Sequence, residues 1–247
     1  DLYASIGIMQ FYLAQDAAAK TSLQKAAALD DRLSSPHYFL AVIARYEKRL
    51  DDAVAGFQAA VKRRPEWARA WHELSLIHDL KKDHEASLAA DLEALKHQPD
   101  YPKAHFQAAY SLTLLGRDKE AEEHFAAAEA GDDPDVHQML AGRAKNKDDT
   151  KGVAKHLKRA AELRKTDHEL WVAAGYTCME ARDFPCAASC FEASVKLAPD
   201  NTMYQELWGR ALSGWGGGAP TAVKVYTDLL AKDPSNMEWR SSLAQNQ

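Results

Sequence analysis

Residues 168–201 read HELWVAAGYTCMEARDFPCAASCFEASVKLAPDN, and this stretch decides the fold. Trp171, Ala174, Gly175 and Cys178 are spaced as the apolar side of one helix, Ala187 and Phe191 as that of a second. Pro199 closes the unit, because its fixed φ and missing N–H stop one helix where the next can begin. Sliding the chain by 34 residues brings the layout back: Leu40, Leu74 and Ala108 fall in one slot, Ala41, Ser75 and Ala109 in the next, and Ala60, Ala94 and Ala128 further on. Residues 34–67 carry Leu40, Ala41, Ala44, Ala53, Phe57, Ala60 and Pro65. Residues 68–101 carry Trp71, Leu74, Ser75, His78, Ser87, Asp91, Ala94 and Pro99. Further copies start near Pro102, about two residues short, near Pro134 and near Thr202. The first 33 residues fit through Tyr3, Ile6, Gly7, Ala19, Leu23 and Ala26.

A fixed 34-residue period of paired helices, with an aromatic, small residues, a second-helix Phe and a closing Pro at set offsets, resembles the tetratricopeptide repeat. The resemblance covers nearly the whole chain. It implies an all-α, right-handed superhelical solenoid of helix-turn-helix repeats. The expected organisation is a single array over residues 1–247, with repeats 1–33, 34–67, 68–101, 102–133, 134–167, 168–201 and 202–236 and a terminal helix at 237–247. Short polar turns such as Lys81-Lys82-Asp83 and Gly116-Arg117-Asp118 separate the helices of a pair. Gly214-Trp215-Gly216-Gly217-Gly218 is longer. It lacks the Lys-Ser/Thr pair and the preceding strand of a phosphate-cradling loop, so it reads as a flexible connection.

Composition limits the partners. A formal charge of −5, with Lys and Arg scattered along the helices, gives no basic stripe for nucleic acid. No apolar run approaches the roughly 20 residues that span a bilayer, and the mean hydropathy is −0.47; the expectation is a soluble chain with no membrane insertion. Opening at Asp1 inside a first helix, the chain reads as an excised fragment. Three cysteines do not make a disulfide framework. They place the chain in a reducing, cytoplasmic compartment ahead of a periplasmic or secreted one.

Three constellations invite chemistry. His37, His105 and His137 fill the slot of Trp71 and Trp171, with His84 and His124 elsewhere, and histidines one repeat apart do not converge on a metal. The hairpin that the resemblance implies sets the helix of Cys178 against that of Cys186 and Cys190, which are neighbours at i and i+4. Cys178 reads as a small interior residue and the other two as flanking the buried face, with a disulfide or a metal as the alternatives. His78 and Asp91 replace the family's Tyr and Phe and are expected to pair, close to Ser75 and Ser87. A helix interior supplies no oxyanion hole, so no catalytic residue is assigned. Neither a cofactor nor a metal is assigned.

What remains is the face that first helices present to the inside of the curve in this family. By period it holds Tyr38, His72 and Phe106, then Val42, Leu76 and Tyr110, then Arg45, Asp79 and Thr113, with Gln138, Val172 and Tyr176 from later copies. The Lys/Arg/Asn clamp by which some members grip a chaperone's C-terminal carboxylate is absent from these rows. The resemblance therefore implies a non-catalytic scaffold that binds a protein segment or helix through Tyr38, Val42, Arg45, His72, Leu76, Phe106, Tyr110, Val172 and Tyr176. The alternative is the repeat region of a larger enzyme or export machine, a glycosyltransferase or polysaccharide-secretion protein for example.

Overall fold

The computed structural model describes residues 2–247, which form fifteen α-helices and no strand. The helices divide into two compact units, the first ending at Gly131 and the second running from Asp132 to Gln247. The first contains α1 (Leu2–Tyr12), α2 (Asp16–Leu29), α3 (Ser34–Tyr46), α4 (Leu50–Arg63), α5 (Ala68–Leu80), α6 (His84–His97), α7 (Pro102–Leu114) and α8 (Asp118–Ala130). The second contains α9 (Pro134–Asn146), α10 (Thr150–Leu163), α11 (His168–Glu180), α12 (Phe184–Leu197), α13 (Thr202–Gly214), α14 (Ala219–Lys232) and α15 (Met237–Asn246). Within each unit, helices pair as hairpins and each hairpin packs on the next, with α15 lying against α14.

The turns explain why hairpins form. Each first helix from α1 to α11 is followed by a residue in the left-handed region: Ala14, Lys48, Lys82, Gly116, Asp148 and Arg182, with φ between 55° and 74°. The next residue's N–H then reaches back to a carbonyl of the helix just ended, as Arg49 does to Ala44 at 2.8 Å and Asp183 to Cys178 at 2.8 Å. This is a Schellman closure, which satisfies orphan carbonyls while reversing the chain. Asp83, Asp149 and Asp183 then cap the second helices by accepting from Ala86, Gly152 and Cys186.

Two registers build the interior. The slot of Gly7, Ala41, Ser75, Ala109, Gly175 and Gly209 is buried throughout and takes only small residues. A Cβ added at Gly7 would lie 2.7 Å from Leu23, and one at Gly175 would lie 2.5 Å from Phe191, because the two helices of the hairpin nearly touch there. The second register joins residues 19 apart. Tyr38 meets Phe57 edge-on at 5.5 Å and Phe106 meets Phe125 at 5.6 Å. Phe57 and Phe191 are wholly buried, each contributing about 1.5–3 kcal/mol by leaving water. No described helix is long and apolar enough to cross a membrane.

Candidate functional site

In the first unit, α1, α3 and the start of α5 enclose an open cavity of about 390 Å³ lined by Phe11, Tyr12, Tyr38, Phe39, Val42, Arg45, Tyr46, Trp67, Arg69 and Glu73. Tyr38 forms its floor. It stacks on Trp67 with centroids 4.5 Å apart and contacts Phe39 edge-on at 5.2 Å, while Phe11 packs on Phe39 at 5.3 Å. Burial pushes the Tyr38 phenol above its ordinary pKa, so this ring stays neutral. Tyr12 and Tyr46 stand at the rim with 71% and 68% of their surface exposed. Arg45 donates to Glu73 at 2.8 Å and lies over the Tyr46 ring; Arg69 adds a second guanidinium to the wall. The cavity thus joins an aromatic floor to a net positive edge.

Of the sequence-designated residues, Tyr38, Val42 and Arg45 line this cavity. His72 and Phe106 do not face solvent: they are 6% and 8% exposed because their rings turn into their own hairpins, toward Asp91 and Phe125. Leu76 is half-buried and Tyr110 exposed. In the second unit Val172 is half-buried, and the exposed Tyr176 stands edge-on to Phe191 at 5.7 Å. Gln138 lines a separate cavity of about 530 Å³ with Ala141, Lys145, Val153, Leu157 and Thr177. Sequence reasoning missed Phe11, Tyr12, Phe39, Tyr46, Trp67, Arg69 and Glu73. The signal available was the density of aromatics in α1 and α3, which a search restricted to the family's groove rows passes over.

The expected His78–Asp91 pair is not formed. Asp91, wholly buried, takes a hydrogen bond from His72 Nδ1 at 2.8 Å and another from the Ser75 hydroxyl. His78 instead lies 3.9 Å from Asp83. The reason is the 19-residue register of the hairpin, which places residue 72, not 78, opposite 91. Ser75, Ser87 and Ser111 extend the network at 3.0 Å per step. Desolvation raises the Asp91 carboxyl to about 6. Ser75 and His72 both donate to the carboxylate, so the imidazole is not placed to take the Ser75 proton, and Ser75 has no exposed surface. The cluster is a polar core.

The same register pairs two histidines of the repeated slot with histidines of their own hairpins: His105 Nδ1 lies 2.9 Å from His124 Nδ1, and His137 Nδ1 lies 3.4 Å from His156 Nδ1. The cysteines are corrected as well. Cys178 and Cys186 are joined by a disulfide across the α11–α12 turn, their Cα atoms 5.8 Å apart, and Cys190 is a wholly buried thiol, not a flanking one. Burial pushes that thiol up to about 11.

Comparison with known proteins agrees with this geometry. Residues 38–102 match the tetratricopeptide repeat family model. The peroxisomal targeting signal receptor of Saccharomyces cerevisiae is 25% identical over 210 residues, covering 79% of this chain and 34% of the receptor. The chain therefore spans about a third of the length of the curated relative it matches. Among solved structures, the C-terminal part of a TPR repeat-containing protein from Cytophaga hutchinsonii is similar with a TM-score of 0.55 at 14% identity, covering 97% of this chain and 99% of that one. MamA from Desulfovibrio magneticus RS-1 is similar with a TM-score of 0.54 at 19% identity, covering 67% and 95%. A chain of the APC/C hetero-tetramer Cut9-Hcn1 gives 0.52 at 14%, covering 92% and 46%. At these identities the structural likeness is one of fold. Residues 38–102 are thus the part matched to the tetratricopeptide repeat, and the helical hairpins on either side share its fold.

Proposed function

We propose that this chain is a non-catalytic interaction module that binds a segment of a partner protein in the aromatic cavity of α1, α3 and α5. The observation that carries the proposal is the exposure of Tyr12 and Tyr46 around a floor of Tyr38, Phe39 and Trp67. Aromatic rings left in water at the mouth of a concave site are the usual anchors of a protein contact. Arg69, beside the Arg45–Glu73 pair, favours a ligand whose apolar anchor is followed by an acidic group. The yeast relative is named a receptor of a targeting signal, a role in keeping with recognition of a short segment.

The test is selection of peptides on the purified chain, followed by anisotropy titration of the selected sequence. Tyr12→Ala and Tyr46→Ala should each weaken binding roughly thirtyfold, corresponding to the ~2 kcal/mol of an aromatic anchor, with the melting midpoint unchanged. Arg69→Ala should relax the preference for acidic neighbours. Selected peptides that bind all three variants as well as the parent would refute the site.

A further inference from the structure

All three cysteines of the chain meet at one point. Cys178 on α11 and Cys186 and Cys190 on α12 hold their Sγ atoms within 4.8 Å of one another, and the sequence has no other cysteine. Two belong to helix faces that the hairpin presses together, and the third follows its neighbour by one helical turn. The disulfide accounts for Cys178 and Cys186 but leaves the Cys190 sulfur, wholly buried, beside both of them. A packing role alone does not require sulfur in that slot, since Ala187 and Ala188 fill neighbouring buried positions without it. Cys186 is only half-buried and gives the cluster a side open to solutes.

We propose that, once the Cys178–Cys186 disulfide is reduced, the three cysteines form a three-thiolate site for a monovalent copper ion. A dithiol reductant supplies two electrons and two protons; the Cys178–Cys186 S–S bond breaks, both sulfurs become thiols, and the reductant leaves as its own disulfide. The ion then replaces the three S–H protons, which pass to water, and forms three metal–sulfur bonds. The donor chemistry selects the metal. Thiolates are soft ligands that favour copper(I), and no carboxylate oxygen or imidazole nitrogen joins this group. Zinc takes four ligands in a closed protein site, and only three converge here. The hairpin fixes these donors before any ion arrives, and the disulfide acts as the gate. This site is independent of the aromatic cavity, which lies on other hairpins.

The experiment uses the full chain, reduced anaerobically with a dithiol, freed of it, and titrated with copper(I) against a chromophoric copper(I) chelator. The expected result is one copper withheld per chain, accompanied by near-ultraviolet thiolate-to-copper absorption. The unreduced chain should withhold none. Cys186→Ser, at the half-buried position, and Cys190→Ala should each weaken retention by about 100-fold or more, beyond what loss of an outer-shell partner costs a metal site. Circular dichroism verifies that each variant is folded, and Cys186→Ser serves should Cys190→Ala lose its fold. Full-strength binding by either folded variant, a stoichiometry other than one, no retention by the reduced chain, or displacement of the copper by equimolar zinc would each overturn the proposal.

Discussion

Replacing a glycine by alanine should have opposite effects at two positions in the second unit, Gly175 in α11 and Gly142 in α9. Intrinsic helix propensity favours both changes by about 1 kcal/mol. At Gly142, which is exposed, an added methyl meets nothing within 4 Å, so the gain should be realised in full. At Gly175 the new Cβ would sit 2.5, 2.7 and 2.8 Å from three ring atoms of Phe191. That ring is wholly buried, so it cannot swing out of the way into solvent. Overpacking of this kind costs about 1–3 kcal/mol, and contact with three ring atoms puts Gly175 in the upper part of that range. The net expectation is a loss of about 1–2 kcal/mol at Gly175 against a gain of about 0.5–1 kcal/mol at Gly142. For a chain of this size, 1 kcal/mol moves the melting midpoint by roughly 2–4 °C. Gly175→Ala should therefore melt about 2–8 °C lower, and Gly142→Ala about 1–4 °C higher. Thermal unfolding followed by circular dichroism at matched scan rates reads both. Adding Phe191→Leu to Gly175→Ala should restore part of the loss, since the smaller side chain vacates the volume that the methyl needs. A Gly175→Ala midpoint that rises alongside that of Gly142→Ala would show that the hairpin contact is loose, and the small-residue slot would then have no steric basis.

Other expectations test separate parts of the argument. Asp91 holds its proton more tightly in the folded chain, its carboxyl being raised from 3.8 to about 6. The associated stability is present below about pH 4 and lost as pH rises through 6, a change of about 3 kcal/mol for a shift of about two units. Asp91→Asn should lack this decline, and urea titrations at pH 4 and pH 7 giving parallel profiles for parent and variant would contradict it. Phe106→Ala should cost about 3–5 kcal/mol of stability, because the ring fills the interior against Phe125. Tyr110→Ala, at an exposed position, should stay within about 0.5 kcal/mol of the parent in the same assay. Lys48→Gly and Lys82→Gly should each stabilise by up to about 1 kcal/mol, since both lysines sit at φ near 60° where a Cβ is strained. Unchanged or lower midpoints for these two would show that the turns bear no such strain.

The repeat itself was open to sequence reading because it depends on side-chain type at fixed spacing. Small residues mark where helices nearly touch, Phe57, Phe125 and Phe191 mark what they enclose, and prolines mark the junctions. A hairpin buries its faces mainly against immediate neighbours, so the local pattern suffices to define class and helix order. The left-handed turn position was much less legible, since Ala14, Lys48, Asp148 and Arg182 carry no glycine to announce it. The geometry of the Schellman closure imposes that conformation on whichever residue falls there.

Which side chains share a point was decided only by the tertiary structure. The offset of 19 residues that joins His72 to Asp91 and His105 to His124 depends on how far one helix is shifted along its partner. A shift of one residue turns a side chain by about 100° around a helix of 3.6 residues per turn, so an interior residue and a surface residue can occupy adjacent positions in the sequence. For that reason His78 was mistaken for the partner of Asp91, and Phe106 for a groove residue. The aromatic cavity is a product of the same kind of placement, drawing Tyr12 from α1, Tyr46 from the end of α3 and Trp67 from the approach to α5. The sequence by itself determined the repeated hairpin, because that rests on spacing within about 34 residues. Only the tertiary structure brought together residues from three helices into a cavity and three sulfurs into a cluster, because rotation and shift between packed helices have no counterpart in a one-dimensional pattern.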